Sequence, residues 1–292
     1  MGRPVALATP PTPPRAPITT PGMVPGPPDP GAAGIPLVFR LRGGLDDARR
    51  TAGPQDAGGG AGMGMDDKAG RPVGRPVALV TPPQPPGAPI TAPGVVLEPL
   101  DPARHAGPIL DKVKGADWVW DYLGYGPFAD AQAYADWQRG NAMGQDPAFY
   151  AILDPDRPQA GALGLASFLR IDRAHGVIEI GHILMSPMLQ RTRTASAAIM
   201  AMIGWAFAAG YRRVEWKCDD LNASSRRAAL RFGFTYEGTF RNHMVYKGRN
   251  RDTAWFAITD QDWPAIKARH DAWLAPQNFD AEGCQRRSLA TS

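Results

Sequence analysis

The sequence predicts a mixed α/β layer fold, a helix-flanked sheet behind a disordered leader, and three features predict it. Strand-like runs stand on both sides of one long helix from Thr194 to Ala209, the pattern of a sheet layered with helices. All eight Trp and all seven Tyr lie after position 117, with Phe39 the one Phe, Trp or Tyr before it. Pro and Gly instead crowd residues 1–94, as in PPTPPRAP, PGPPDPGAAG and DAGGGAGMG. Such a segment has too few apolar side chains to offset the entropy of ordering its backbone, so disorder is expected.

Within that leader, residues 2–24 (GRPVALATPPTPPRAPITTPGMV) recur as 74–96 (GRPVALVTPPQPPGAPITAPGVV), with five of 23 positions changed. Two copies of a Pro-rich strip bury nothing, which argues for a partial duplication of the leader rather than a stacked-repeat fold. PPTPP and PPQPP favour polyproline II, the conformation of linkers and also of ligands for aromatic grooves. Met63 and Met65 offer a second translation start. The folded domain is expected over 95–275, with 276–292 a flexible tail.

The elements follow in order. VVLEPL (95–100) reads as a strand, and Asp101-Pro102 as a helix start with its cap. Gly107-Pro108 should break or kink that helix. The aromatic crowd Trp118, Trp120, Tyr122 and Tyr125 is expected to pack on the core and to shape a pocket. A second helix runs from Asp130 to Arg139, stopped at Gly140. AFYAILD (148–154) and ALGLASFLRI (162–171) are strands joined at DPDRPQAG, and HGVIEIGHILM returns antiparallel through the turn at 174–176. After the long helix come a strand (212–218), a short helix from Asn222 to Phe232 capped by Gly233, a hairpin, and a last helix starting near Asp260–Asp262.

Composition removes several function classes. The net charge of +4 and pI near 9.2 come from scattered basic residues with no continuous stripe, so no nucleic-acid footprint is read. The run from Ala197 to Gly210 is too short to span a bilayer, and no signal peptide is legible. Cys218 and Cys284 show no pairing by spacing, which suits a reducing, cytoplasmic setting. His105, His175, His243 and His270 lack metal-ligand spacing, so no metal is assigned.

The residues that could carry chemistry cluster between 179 and 233. Gln190-Arg191-Thr192-Arg193-Thr194-Ala195 forms a polar turn entering the long helix, where free N–H groups and two guanidiniums suit a phosphate. Thr192 or Thr194 serves equally as a plain helix cap, and Asn222 and Gly233 as cap and stop of the short helix. Glu179 and His182 are candidate proton acceptors. In a regular strand they face opposite sides, so a shared pocket requires a bulge, with Gly181 the place for it. A hydrogen-bonded core residue is the other reading of His182, and a buried thiol that of Cys218. Arg249 and Arg251 suit either acceptor or subunit contacts, or plain exposed turn charges.

Taken together, Glu179-Ile180-Gly181, the turn 190–195 and Asn222-x-x-Ser225…Gly233-Phe234 resemble the acetyl-CoA-binding core of the GNAT N-acetyltransferase superfamily, in its RimJ/RimL-like branch, over about residues 95–265. The resemblance implies a central, mostly antiparallel sheet with two splayed strands. It also implies an acetyl-CoA-dependent enzyme whose acceptor, a primary amine on a protein N-terminus or a small molecule, attacks the thioester directly. Cofactor contacts would come from Leu184, Met185, Gln190, Arg191, Thr192, Arg193, Thr194, Ala195 and Asn222. Glu179 would be the base, acting through water, and Ser225 would lie near the departing sulfur. Two positions depart from the family pattern: Arg193 stands where a glycine is usual, and Ala229 where many members have a Tyr general acid. Ser225 or water would then protonate the thiolate. A non-catalytic acyl-CoA-binding protein and a Pro-rich interaction protein are the alternatives, and a homodimer is compatible with the pattern.

Overall fold

A computed structural model describes residues 64–65, 72–281 and 283–289; the first repeat copy and Met63 lie outside the described residues. Eight strands form the main sheet: β1 (Ile90–Ala92), β2 (Val95–Pro99), β3 (Ala148–Leu153), β4 (Gly164–Asp172), β5 (Val177–Met185), β6 (Arg213–Asp219), β7 (Thr235–Tyr246) and β8 (Arg249–Thr259). Their order is β1-β2-β3-β4-β5-β6-β8-β7. Every neighbouring pair is antiparallel except β5 and β6. Those two are joined by the helix α3 (Arg193–Ala208), the long crossover that parallel strands require.

The single parallel pairing is short. It runs only from Val177↔Arg213 to Glu179↔Glu215, and the C-terminal halves of β5 and β6 are unpaired with each other. A V-shaped opening therefore forms in mid-sheet, beside the N-terminus of α3.

Alternation on each strand divides the core into two layers. On β3, Tyr150 and Ile152 join the layer under α3, while Phe149 and Ala151 join the layer under α1 (Pro102–Val113) and α2 (Ala131–Asn141). The α3 layer buries Ala198, Ile199, Met202 and Ile203 against Phe168, Ile178 and Val214. Each fully buried aliphatic side chain of this kind stabilises by about 1.5–3 kcal/mol. Asp101 caps α1 by accepting from the Ala103 N–H at 2.9 Å. The helix continues through Pro108 rather than ending there, because Ala106, Ile109 and Val113 on the same face are buried. That packing outweighs the lost hydrogen bond. The helix α4 (Ala223–Phe232) and α5 (Trp263–Leu274) follow, with Gly233 stopping α4 at φ 96°.

Two expectations about the ends are corrected. Order begins well before residue 95. Residues 74–89 lie along the sheet, and the strand β1 extends it at one edge. Proline offers no N–H, so only its carbonyl needs a partner when it packs. Arg173 Nε donates to Pro82 O at 2.6 Å, Tyr211 Oη to Pro83 O at 2.9 Å and Tyr150 Oη to Pro86 O at 2.6 Å. The tail is likewise ordered over its described residues. Asn278, 3% exposed, donates to Trp273 O and Arg287 O and accepts from the Arg287 N–H, which closes the segment on itself.

Candidate active site

The V-shaped opening is the mouth of a cleft of about 1260 Å³. Its two ends differ in charge and lining.

At one end lies the turn that leads into α3. Thr192 caps the helix, its Oγ1 accepting from the Ala195 N–H at 3.1 Å and donating to Leu189 O at 2.7 Å. The N–H groups of the first helical turn have no intrahelical acceptor and point along the axis into the cleft mouth. The strained position in this turn is Arg191, at φ 62°; Arg193 has an ordinary helical backbone as the first residue of α3. The side chain that stands where a glycine is usual therefore does not strain the turn. Arg193 turns its guanidinium to donate to Leu274 O at 2.9 Å, over the Phe279 ring at 4.7 Å. Arg191, Arg227 and Arg231 line the same end. None of these four arginines has a carboxylate within ion-pair distance among the described residues.

Gln190, Thr192, Arg193, Ala195 and Met185 line the cleft, whereas Leu184 and Thr194 do not. Leu184 is 1% exposed and belongs to the α1–α2 layer, because strand alternation turns it away from its neighbour Met185. Thr194 is buried and donates to Asp154 Oδ2 at 3.3 Å. Gln190 spends its amide on Met185 O at 3.0 Å.

In the middle of the cleft stand Asn222, Ser225 and Trp216. The Asn222 carbonyl oxygen caps α4 by accepting from the Ser225 N–H at 3.0 Å, which leaves its amide donors for a ligand. Ser225 Oγ accepts from Trp216 Nε1 at 3.0 Å, which fixes the hydroxyl oxygen in the cleft. The neighbouring Cys218 thiol is pushed up by burial, with the Ser225 hydrogen bond acting in the other direction.

The far end holds Glu179, buried at 4% exposure. Its carboxylate lies 2.7 Å from Lys217 Nζ and 2.9 Å from Arg170 Nε. Burial pushes the Glu179 carboxyl up, although both cations pull it back; burial likewise pushes the Lys217 ammonium down. Lys217 also sits over the Trp255 ring at 3.8 Å. Two bulges set this geometry. The extra residue in β5 falls at His182–Ile183, with His182 at φ 50°, and that in β4 at Arg170–Ile171, with Arg170 at φ 47°. Asp146 pins the second bulge by accepting from the N–H groups of Arg170 and Ile171 at 2.8 and 3.0 Å. Glu179 and His182 consequently share one cleft, through a kink one residue beyond Gly181. The glycine itself makes room: a Cβ there would stand 3.3 Å from Glu179 Oε1 and 3.0 Å from Leu169 Cδ2.

His182 stacks on Tyr125 with centroids 5.7 Å apart and lies 5.0 Å from Phe149. Burial, with Arg170 and Arg251 nearby, lowers its pKa to about 4, so the ring is neutral near pH 7. Of the aromatic crowd, Trp118 and Tyr122 line the cleft, while Trp120 is buried and Tyr125 packs against Trp137. Arg251 lines the cleft over Tyr246, whereas Arg249 is exposed outside it.

Sequence reasoning missed Lys217, Arg170 and Tyr246. Tyr246 Oη lines the cleft and donates to Asp219 Oδ2 at 2.8 Å, and burial pushes its phenol up to about 12. Lys217 stands in RVEWKCD, where Arg213, Glu215, Lys217 and Asp219 alternate with apolar residues, so the strand reads as having one solvent-facing side and the burial of Lys217 was not legible. Tyr246 gave no local signal. No cluster of three or more His, Cys, Asp or Glu that could hold a metal occurs among the described residues.

Known proteins agree with this geometry. The family described as an acetyltransferase (GNAT) domain matches residues 95–235. A GCN5-related N-acetyltransferase from Brucella melitensis is 41% identical, with 72% of this chain and 96% of that chain covered and a TM-score of 0.68. A GNAT-family protein from Chromobacterium violaceum is also 41% identical, over 66% of this chain and 99% of its own, with a TM-score of 0.62. No curated protein matches the chain. With a sheet splayed at its one parallel pair, a helix N-terminus at the opening and this degree of identity over nearly the full length of a relative, the chain belongs to the GNAT acetyltransferase family and is an N-acetyltransferase.

Proposed function

We propose that the chain transfers the acetyl group of acetyl-CoA to a primary amine, by direct attack within the cleft between β5 and β6. One observation carries the cofactor assignment: Arg191, Arg193, Arg227 and Arg231 gather around the start of α3 with no carboxylate partner among the described residues. A polyanion is the ligand such an end suits. Gln190, Thr192 and Ala195 would border the pyrophosphate, Met185 the acyl arm, and the Asn222 amide the pantetheine. Leu184 and Thr194 contribute through the strand and helix that carry them.

The acceptor enters from the opposite end, between Trp118, Tyr122 and Glu179. An ammonium must lose a proton before it attacks, and Glu179 receives it directly or through water. As the carbon–nitrogen bond forms, the nitrogen sheds its second proton and the carbon–sulfur bond breaks. The sulfur takes a proton from Ser225 or water, and that donor is restored by the proton the nitrogen has released through water. Ser225 suits this because its oxygen is already held by Trp216. Most of the rate comes from holding amine and thioester together. The likeness of Glu179-Ile180-Gly181 and Asn222…Ser225…Gly233-Phe234 to RimJ/RimL-like sequences supports a protein N-terminus or a small amine as acceptor. Free Cys218 and Cys284 suit the reducing cytoplasm.

Mass spectrometry of amine-terminated peptides and small amines incubated with acetyl-CoA tests this reading. Acetylation at nitrogen is expected; a product acetylated only at a hydroxyl would overturn the acceptor class.

A further inference from the structure

The C-terminal segment would be expected, from its polar sequence after Leu274, to be solvated. It instead folds back on the cleft. Phe279 and Gln285 form a β-bridge, and Trp273 Nε1 donates to Gln285 Oε1 at 2.8 Å. The Cys284 N–H donates to Asp280 Oδ1 at 2.7 Å, and Leu289 is buried at 7% exposure. Phe279, Gly283, Cys284 and Gln285 thereby line the end of the cleft that carries the arginines.

The fastening is unusual in its chemistry. Arg193 reaches from the start of α3 to Leu274 O and covers Phe279 at 4.7 Å. Arg231 reaches from α4 to Ser196 Oγ at 3.1 Å and covers Trp273 at 4.9 Å. Cation–π contacts of this kind contribute about 0.5–2 kcal/mol each and leave the positive charge uncancelled. Arg193 thus holds the tail directly through Phe279, Arg231 holds it through Trp273 of α5, which itself donates to Gln285, and both keep their charge for an anion in the cleft. A salt bridge would have held the tail and neutralised the charge.

We propose that residues 275–281 and 283–289 form a wall that seats the nucleotide half of acetyl-CoA, with Arg193 and Arg231 as positioning residues that fasten it. This rests on the cofactor placement given above. Among the described residues no hydrogen bond, ion pair or ring contact joins the wall to Glu179, Ser225 or Tyr246, so it acts on cofactor affinity and not on the reacting atoms.

The test is calorimetry on the full-length protein with two probes: acetyl-CoA, and S-acetyl-4′-phosphopantetheine, which lacks the nucleotide. Phe279→Ala and Asn278→Ala should weaken acetyl-CoA about tenfold, or ~1.4 kcal/mol, and leave the truncated thioester unchanged. Retained binding of that second probe also shows that the cleft is folded. Equal weakening of both probes, or of neither, would overturn the wall. Wild-type protein that binds no acetyl-CoA would overturn the cofactor placement itself, whereas binding by wild type with no loss in the variants overturns the wall alone.

Discussion

At the scale of single residues, the account turns on Glu179. Its carboxyl is held above the ordinary range by burial, and Lys217 and Arg170 limit that rise. A base must be ionised to act, so kcat/KM should fall as pH drops through the Glu179 pKa. Glu179→Gln should lower kcat/KM by about 10²-fold or more and flatten that acid limb in a pH–rate profile. Lys217→Met removes a cation that favours the carboxylate, so the limb should move to higher pH; an unmoved limb would assign it to another group. His182, with a pKa near 4, is already neutral from pH 5 upward. His182→Gln should therefore leave the profile between pH 5 and 8 in place, whatever it does to the aromatic packing.

At the scale of elements, caps and straps decide whether the cleft keeps its shape. Gly233 stops α4 at φ 96°, and a Cβ there would stand 2.9 Å from Arg269 Nη2 and 3.1 Å from Ile266. Gly233→Ala should cost at least about 1 kcal/mol, read as a lower Tm, because both backbone and space oppose it. The strap at 74–89 gives a second case. Tyr150→Phe and Tyr211→Phe each delete one donor to a proline carbonyl, and each should destabilise by about 1 kcal/mol. Faster proteolytic cutting within 74–88 would be the more specific sign.

These same elements show what could be read in advance. The strand–turn–helix–strand order from 177 to 219 and the caps Thr192, Asn222 and Gly233 were legible, because periodicity and capping are local. The bulge that brings Glu179 and His182 together was expected at Gly181 and falls one residue later, because a one-residue register shift has no sharper sequence mark. The order of the strap and tail was not legible. Proline carbonyls take partners from Tyr150, Arg173 and Tyr211, 64 to 128 residues away, and nothing in a Pro-rich run announces that. Lys217, Arg170 and Glu179 come from three strands, so only the fold joins them into one ion-paired group. Arg193 read as a departure from the usual glycine because its partner, Leu274 O at the end of α5, lies 81 residues away.

At the scale of the whole molecule, one sheet supplies two ends to one cleft. The short parallel pairing of β5 and β6 opens it; α3 and α4 line one end with arginines that have no carboxylate partner among the described residues; β4, β5 and β6 place a buried carboxylate at the other. No helix among the described residues is long and apolar enough to cross a membrane. This division of labour fits a polyanionic donor entering from one side and an amine from the other. The most direct measurement is thiol release from acetyl-CoA by the full-length protein against a panel of small amines and N-terminal peptides, each paired with its N-blocked form. The account predicts release that requires a free primary amine and drops by about 10²-fold or more in Glu179→Gln. Release that proceeds equally with blocked amines, or no release with any acceptor, would contradict it.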